Sequence, residues 1–257
     1  MCYSPFYEQI RIILPTFYFD DQQKLKEELN IKNKQALLAH LSEFITLRRK
    51  ALFTEVIKNR TRHLTIVLED IFQPQNASAV LRTCDLTGIQ DVHIIENNNT
   101  YEINPDVALG SSKWLNLKKY NTDKSNTLTA YNHLREDGYK IVATTPHKKN
   151  YTLEDIPLDK KLAIVFGTEL TGLSETAIEN ADAFLKIPMY GFTESYNISV
   201  SAALVLFNLT HRLRKSSINW RLTEEEKIDI ELEWTRRTIS RSGIIENQFL
   251  KSLNPNF

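Results

Sequence analysis

Short β-branched segments alternate with helical segments from residue 64 to about residue 214, and this alternation constrains the fold more than any other feature. Predicted strands occupy 64–70, 91–97, 115–120, 140–145, 162–167 and 183–188. Predicted helices lie between them or follow the last strand, at 77–88, 127–138, 174–181 and 197–214. Strands that alternate with helices predict an α/β fold whose sheet is mostly parallel.

Helical patterns also mark both flanks of this core. The stretch from 36 to 60 is amphipathic at helical spacing, and its apolar stripe consists of Leu41, Phe44, Ile45, Leu52, Val56 and Ile57. Residues 20–30 also have a helical composition. A later helix is predicted from Thr223 to Arg237, because Thr223 and Glu226 have the spacing of a capping box. The tail from 247 to 257 is predicted to be a weakly ordered end.

These patterns predict three parts. We expect an N-terminal helical extension over 1–62, a core domain over 63–210 and a C-terminal helical extension over 211–257. Gly88, directly after a predicted helix, is the expected C-terminal stop of that helix.

The formal charge of the 257-residue chain is zero, because 32 Lys and Arg side chains balance 32 Asp and Glu side chains. Binding to nucleic acid or to a membrane must therefore come from a local patch. The two cysteines, Cys2 and Cys84, form no CxxC or zinc pattern, so we expect no metal site and a reducing, cytoplasmic location. We predict no signal peptide, and no run approaches the roughly 18 apolar residues of a membrane-spanning helix.

Unusual polar residues follow the first predicted strand, at the end of the strand where open α/β sheets bind ligands. Asn76 lies near the start of the next helix, and Arg82 follows six residues later among small and apolar residues. One interpretation is that Asn76 caps the helix and Arg82 is a solvated charge. The other is that Arg82 has an anionic partner, either a carboxylate or a phosphate.

The loop after the strand at 162–167 combines Gly167, Glu169 and Gly172. It is either a simple turn before a helix capped by Ser174, or a place where the backbone approaches a ligand closely. Its sequence is neither GxGxxG nor GxxxxGK[ST], which disfavours dinucleotide-binding and P-loop sites.

A second glycine-containing loop, 191–196, precedes the apolar helix that begins near Asn197. Its polar residues either cap and pack the helix, or they surround a flat apolar ligand held by backbone amides. Thr144, at the end of another predicted strand, could line the same pocket.

Three segments, "NASAVLRTCD", "IVFGTELTGLSE" and "IPMYGFTESYNISVSAA", resemble in order and spacing the three motifs of the SPOUT superfamily of RNA methyltransferases. The closest resemblance is to the TrmH-type tRNA (guanosine-2′-O)-methyltransferases. "ALGSSKWLNL" is also similar to a segment of that group, and the likeness covers about 36–215.

The resemblance implies a trefoil-knotted α/β fold, an obligate homodimer with each active site at the interface, and S-adenosylmethionine as the cofactor. The residues implied to bind the cofactor are Thr144, Gly167, Ile187, Met189, Ser195 and Tyr196. The family usually has Leu at the position of Tyr196, a change that a backbone contact tolerates.

The implied chemistry is methyl transfer to a ribose 2′-hydroxyl, and the expected target is guanosine 18 in the D-loop of tRNA. Arg82 is the implied activating residue, with Asn76, Glu169 and Asn197 as the other catalytic positions. We expect Asn76 and Asn197 to orient Arg82 and the ribose. RNA binding also needs basic side chains, since phosphates supply most of the affinity. The candidates are Arg48, Arg49, Arg60, Arg62 and Lys113.

Two other functions remain open at this stage. Methylation of rRNA would keep the chemistry and change the substrate. A catalytically silent RNA-binding protein would keep only the fold, although the complete set of motif residues argues against it. An NAD-dependent oxidoreductase is disfavoured because no glycine fingerprint follows the first strand.

Overall fold

A computed structural model describes residues 30–102, 104–148 and 150–253, and it contains a six-stranded sheet. The strands are β1 (Leu64–Glu69), β2 (Asp91–Ile95), β3 (Asn116–Tyr120), β4 (Tyr139–Thr144), β5 (Lys161–Phe166) and β6 (Ala183–Leu185). They are arranged in the order β3-β2-β1-β5-β4-β6, and each neighbouring pair is parallel. The prediction of a mostly parallel α/β sheet is confirmed.

Helices connect and flank the strands. In chain order they are α1 (Ile31–Ser42), α2 (Leu47–Ile57), α3 (Pro74–Thr87), α4 (Pro105–Ala108), α5 (Asn126–Glu136), α6 (Glu175–Glu179), α7 (Ile198–Lys215), α8 (Glu224–Thr238) and α9 (Ser242–Leu253). A short 3₁₀ turn, Ser111–Trp114, precedes β3. In the described part of the chain, no helix has the length and apolar character needed to cross a membrane.

Both faces of the sheet are covered, and the pleat of β1 shows this directly. Leu64, Ile66 and Leu68 point into one apolar cluster, which also contains residues of α3 and α7. Val67 points into a second cluster with Ala130 and other residues of α5. Alternate residues of a strand face opposite sides, so β1 is buried on both.

Gly88 ends α3 with a positive φ of 84°, as the sequence predicts. A Cβ atom at this position would collide with the carbonyl oxygen of Asn59. Glycine is therefore required both by the left-handed backbone and by the close approach of the segment after α2.

The single amphipathic run predicted over 36–60 is two helices, because the chain turns after Ser42 and Thr46 caps a new helix. The Thr46 hydroxyl accepts a hydrogen bond from the Arg49 amide at 3.2 Å. The change of direction breaks the predicted stripe. Phe44 is 52% exposed and Leu52 is 49% exposed, so neither is a core residue.

At the other flank, the capping box of Thr223 and Glu226 is confirmed. The prediction of a weakly ordered tail is wrong for residues 247–253, which are part of α9. Phe249 and Leu250 pack against the cluster formed by α1 and α8, so apolar contacts order this helix. The predicted helix over 20–30 lies, except for Asn30, outside the described residues.

Candidate active site

A cavity of about 370 Å³ lies beyond the carboxyl ends of β4, β5 and β6. Parallel strands end together at one edge of the sheet, and the loops that follow them there form the usual ligand crevice of such folds. The six residues that the sequence implies for cofactor binding all line this one cavity: Thr144, Gly167, Ile187, Met189, Ser195 and Tyr196. The structure thus brings together residues from three separate segments of the chain.

Gly167 allows the loop after β5 to fold back on itself. Thr168 and Gly172 exchange backbone hydrogen bonds of 2.9 and 3.1 Å, and Gly172 has a positive φ of 72°. A Cβ atom on Gly167 would collide with the backbone of Gly172 and Leu173. Glycine at 167 is therefore a steric requirement of the loop that borders the cavity.

The buried carboxylate of Glu69, at the end of β1, holds the far end of this loop. It accepts hydrogen bonds from the Ser174 amide at 2.9 Å, from the Ser174 hydroxyl at 2.8 Å and from the Thr127 hydroxyl at 2.6 Å. Glu69 is not among the residues predicted from the sequence. An acid at the end of a mostly apolar strand was the signal, because a buried carboxylate needs several donors.

Three of the four predicted catalytic residues share one hydrogen-bond network at the edge of the cavity. The side-chain amide of Asn197 donates to the Asn76 side-chain oxygen at 3.1 Å and to the carboxylate of Glu169. Its own oxygen accepts from the amide of Ser199 at 2.8 Å, which caps α7. Asn76 lies in the first turn of α3, and the residue at the cap position is Gln73.

Arg82, the fourth predicted catalytic residue, is separate from this network. It is exposed on α3, does not line the cavity, and has no hydrogen-bond or ion-pair partner among the described residues. The expected contact of Asn76 and Asn197 with Arg82 is therefore not present within one chain. An unpaired guanidinium on the surface can bind an anion from outside the chain.

Two residues of the predicted RNA-binding set pair with other residues of the protein; Arg60 is buried and Arg62 is half-buried. Arg60 is only 2% exposed, and it pairs with Asp85, donates to the Ile89 carbonyl at 3.0 Å and lies over the Trp234 ring. A phosphate cannot reach this guanidinium, so the prediction for Arg60 is wrong.

Arg62 also has internal partners, since it forms ion pairs with Asp91 at 3.0 Å and with Glu226 at 3.3 Å. Burial lowers the pKa of Arg62, but the two carboxylates outweigh burial and raise the pKa above its ordinary value. Two carboxylates already compensate the charge of Arg62, but 26% of its side chain remains exposed, so its role in RNA binding stays a prediction.

The remaining three predicted RNA-binding residues are accessible. Arg48 and Lys113 are exposed, whereas Arg49 is half-buried and lies over the Trp114 ring at 5.5 Å. This contact places α2 beside the 3₁₀ turn that carries Lys113. The accessible basic surface is therefore smaller than the sequence predicts.

Comparison with known proteins identifies the class of this site. Residues 63–207 match the model of the SpoU rRNA Methylase family, which is more than half of the chain. The protein belongs to this family. Family membership confirms the resemblance drawn from the three motifs, and it implies the trefoil knot. The predicted domain limits at 63 and 210 stay a prediction.

Individual relatives agree with this assignment. The chain is 51% identical, over 80% of its own length and 93% of the relative, to the tRNA (guanosine(18)-2′-O)-methyltransferase of Borreliella burgdorferi. It is 31% identical to the Thermus thermophilus protein of the same name, over 75% of this chain and 98% of the relative.

Solved structures give the same fold. The TrmH/SpoU tRNA modifying enzyme of A. aeolicus superposes with a TM-score of 0.67 at 27% identity, over 76% of this SpoU-family chain and 98% of the other. An AdoMet-bound rRNA methyltransferase from Sinorhizobium meliloti shares the fold, with a TM-score of 0.52 at 22% identity over 62% and 60% of the two chains.

Proposed function

We propose that this protein transfers a methyl group from S-adenosylmethionine to the 2′ oxygen of guanosine 18 in tRNA. One observation carries the choice of substrate: the chain is 51% identical to a tRNA (guanosine(18)-2′-O)-methyltransferase over 93% of that relative's length.

The cavity suits S-adenosylmethionine in size and in lining. Ligand pockets commonly measure about 300–1,000 Å³ and combine apolar walls with a few polar groups. Here Phe166, Leu185 and Met189 supply apolar wall, and the loops after β5 and β6 supply backbone groups and hydroxyls. We propose that the cofactor is held by six residues: Thr144, Gly167, Ile187, Met189, Ser195 and Tyr196. The cofactor carries its methyl group on a sulfonium, and the leaving group that remains after transfer needs neither an acid nor a metal.

Arg82 carries the proposed chemical step on the protein side. A guanidinium is effectively never deprotonated, so Arg82 is not the proton acceptor. We assign it instead to binding the phosphate beside the reactive ribose and to stabilising the negative charge that develops on the 2′ oxygen as the hydroxyl proton passes to solvent water. Asn76, Glu169 and Asn197 orient the ribose at the mouth of the cavity, which reduces the entropy lost on reaching the reactive geometry.

The separation of Arg82 from the cavity supports a homodimer. Within one chain Arg82 does not line the cavity, and a second copy would complete the site. α7 presents a row of exposed apolar side chains at helical spacing, Val200, Leu204 and Phe207, of which Phe207 is 70% exposed. A second chain that covers this row would remove it from water.

The two helical extensions complete the proposal. We infer that residues 1–62 contact RNA through Arg48 and Arg49, with Lys113 of the core on the same surface. Residues 211–257 contribute a helical extension that supports the core. The cytoplasm is the proposed location, because unmodified tRNA is available there.

The proposed function is tested with purified protein, methyl-labelled S-adenosylmethionine and an unmodified tRNA transcript, followed by mapping of the modified nucleotide. We expect one 2′-O-methylguanosine at position 18. Transfer to rRNA fragments but not to tRNA would replace the substrate and keep the chemistry. Cofactor binding without transfer to any RNA would contradict the proposal and favour a silent RNA-binding protein.

A further inference from the structure

Gln73 occupies the cap position of α3, although glutamine is not among the residues that cap helices well. Its side chain makes no bond to the helix backbone. The Gln73 side-chain oxygen accepts a hydrogen bond of 2.9 Å from the side-chain amide of Asn76. The Gln73 side chain therefore binds Asn76 and does not cap the helix.

The orientation of each amide in this network is fixed by its neighbours. The Asn197 oxygen accepts both from the Ser199 amide at 2.8 Å and from the Ser199 hydroxyl at 2.6 Å. The two hydrogens of the Asn197 amide therefore go to Asn76 and to Glu169. Because the Asn76 oxygen faces Asn197, the Asn76 NH₂ group must find an acceptor elsewhere, and Gln73 provides it.

We propose that Gln73 is a positioning residue for methyl transfer, which acts by holding Asn76 and, through it, Asn197 and Glu169. Glu169 lines the cavity, and Asn76 is only 9% exposed, so the chain of bonds joins the start of α3 to the cavity mouth. Without the Gln73 acceptor, the nearly buried Asn76 NH₂ group lacks a partner and the network rearranges. This inference rests on the proposed function.

The test compares Gln73→Met, which removes the acceptor while keeping an unbranched side chain, with Gln73→Glu, which keeps an acceptor oxygen at the same reach. We expect Gln73→Met to lower kcat for tRNA about tenfold, since small displacements of reacting groups have large effects on rate. The cofactor Kd, measured by calorimetry, should change by less than about twofold, because the loss concerns the transition state. Gln73→Glu should restore most of kcat.

Gln75→Met is the matched control. Gln75 lies two residues away in the same turn, is exposed, and has no hydrogen-bond partner among the described residues. It should leave kcat unchanged. Thermal unfolding of each variant, followed by circular dichroism, separates loss of folding from loss of position.

The outcomes are distinguishable. A folded Gln73→Met enzyme with wild-type kcat would overturn this inference and leave the proposed function intact. A Gln73→Glu enzyme as slow as Gln73→Met would also overturn it, because the acceptor would not be the decisive feature. A wild-type protein that methylates no RNA would overturn the proposed function and this inference with it.

Discussion

The two ends of the parallel sheet use polar side chains in different ways. At the amino ends of the strands, Arg60 and Arg62 meet the carboxylates of Asp85, Asp91 and Glu226, and their charges are compensated inside the protein. At the carboxyl ends, polar groups surround a cavity. Arg82, on the exposed face of α3, has no partner among the described residues.

This difference assigns stability to one end and chemistry to the other. A buried guanidinium whose charge is compensated is not available to a ligand, and its removal leaves other charges uncompensated. An exposed guanidinium contributes little to stability and remains available for phosphate. A variant at the amino end should therefore lower the stability and leave kcat unchanged. A variant at the carboxyl end should lower kcat and leave the stability unchanged.

The largest expected effect is that of Arg82→Ala on methyl transfer. Loss of charge stabilisation at the 2′ oxygen should lower kcat by about a thousandfold, or about 4 kcal/mol. The free energy of unfolding should change by less than about 0.5 kcal/mol, because the side chain is exposed. Single-turnover kinetics and urea unfolding measure the two quantities.

A mixture of subunits sharpens this prediction. Gly167→Ala should disable the cavity, since the new Cβ collides with the Gly172 backbone. When Arg82→Ala and Gly167→Ala subunits are unfolded and refolded together, heterodimers should regain activity, because one of their two sites receives intact residues from both chains. No recovery in a mixture shown to contain heterodimers would contradict a site shared between subunits.

The next effect is on stability, at the other end of the sheet. Arg60→Ala should lower the free energy of unfolding by about 3 kcal/mol, because Asp85 and the Ile89 carbonyl lose their buried donor. Urea unfolding followed by circular dichroism measures this, with exposed Arg48→Ala as the control. The folded Arg60→Ala protein should keep its kcat; a loss of activity with unchanged stability would reverse the assignment.

A third effect concerns pH. His93 is buried in β2, where its ring nitrogen contacts the Tyr120 hydroxyl at 2.9 Å. Burial, reinforced by Lys118, lowers its pKa from the ordinary 6.5 to about 3, although Asp137 acts in the opposite direction. The unfolded chain therefore binds more protons between these values, and the stability is present above pH 6.5 and is lost as pH falls toward 3.

We expect this residue to contribute a loss of about 2 kcal/mol in the free energy of unfolding between pH 7 and pH 5. His93→Gln removes the titrating ring and should make the loss smaller by that amount. Urea unfolding of both proteins at the two pH values provides the comparison. Parallel pH dependences would show that His93 does not titrate in this way.

The smallest effect is on RNA affinity. Replacing Arg48, Arg49 and Lys113 with Gln should weaken tRNA binding about tenfold and reduce the salt slope by roughly one per lost phosphate contact. Filter binding at several salt concentrations measures both. An unchanged slope would place the RNA on another surface.

The sequence predicted the cavity better than the basic surface for a physical reason. The family resemblance named Gly167, Ile187 and Tyr196. Their loops follow β5 and β6, and parallel strands bring such loops to one edge whatever the details of packing. Whether Arg60 is accessible to RNA depends on its contacts with Asp85, Ile89 and Trp234, which are distant in the chain. A run of basic residues gives no information about such partners.

Helix boundaries at the flanks show the same limit. The apolar pattern over 36–60 fits one helix, but Thr46 offers a cap and the chain turns there. The sequence of α9 resembles that of a disordered tail, yet Phe249 packs against apolar residues of α1. Its ring also stacks on the His40 ring at 4.7 Å. A local cap decided the first case, and tertiary contacts decided the second.

Amide hydrogen exchange with and without S-adenosylmethionine tests the central claim, that the carboxyl-end cavity is the cofactor site. We expect added protection to concentrate in 167–173 and 187–196. We expect no added protection at the amino-end edge, around Lys58–Arg62 and Trp220–Arg221. Protection at that edge, with none in the two cavity loops, would contradict the account.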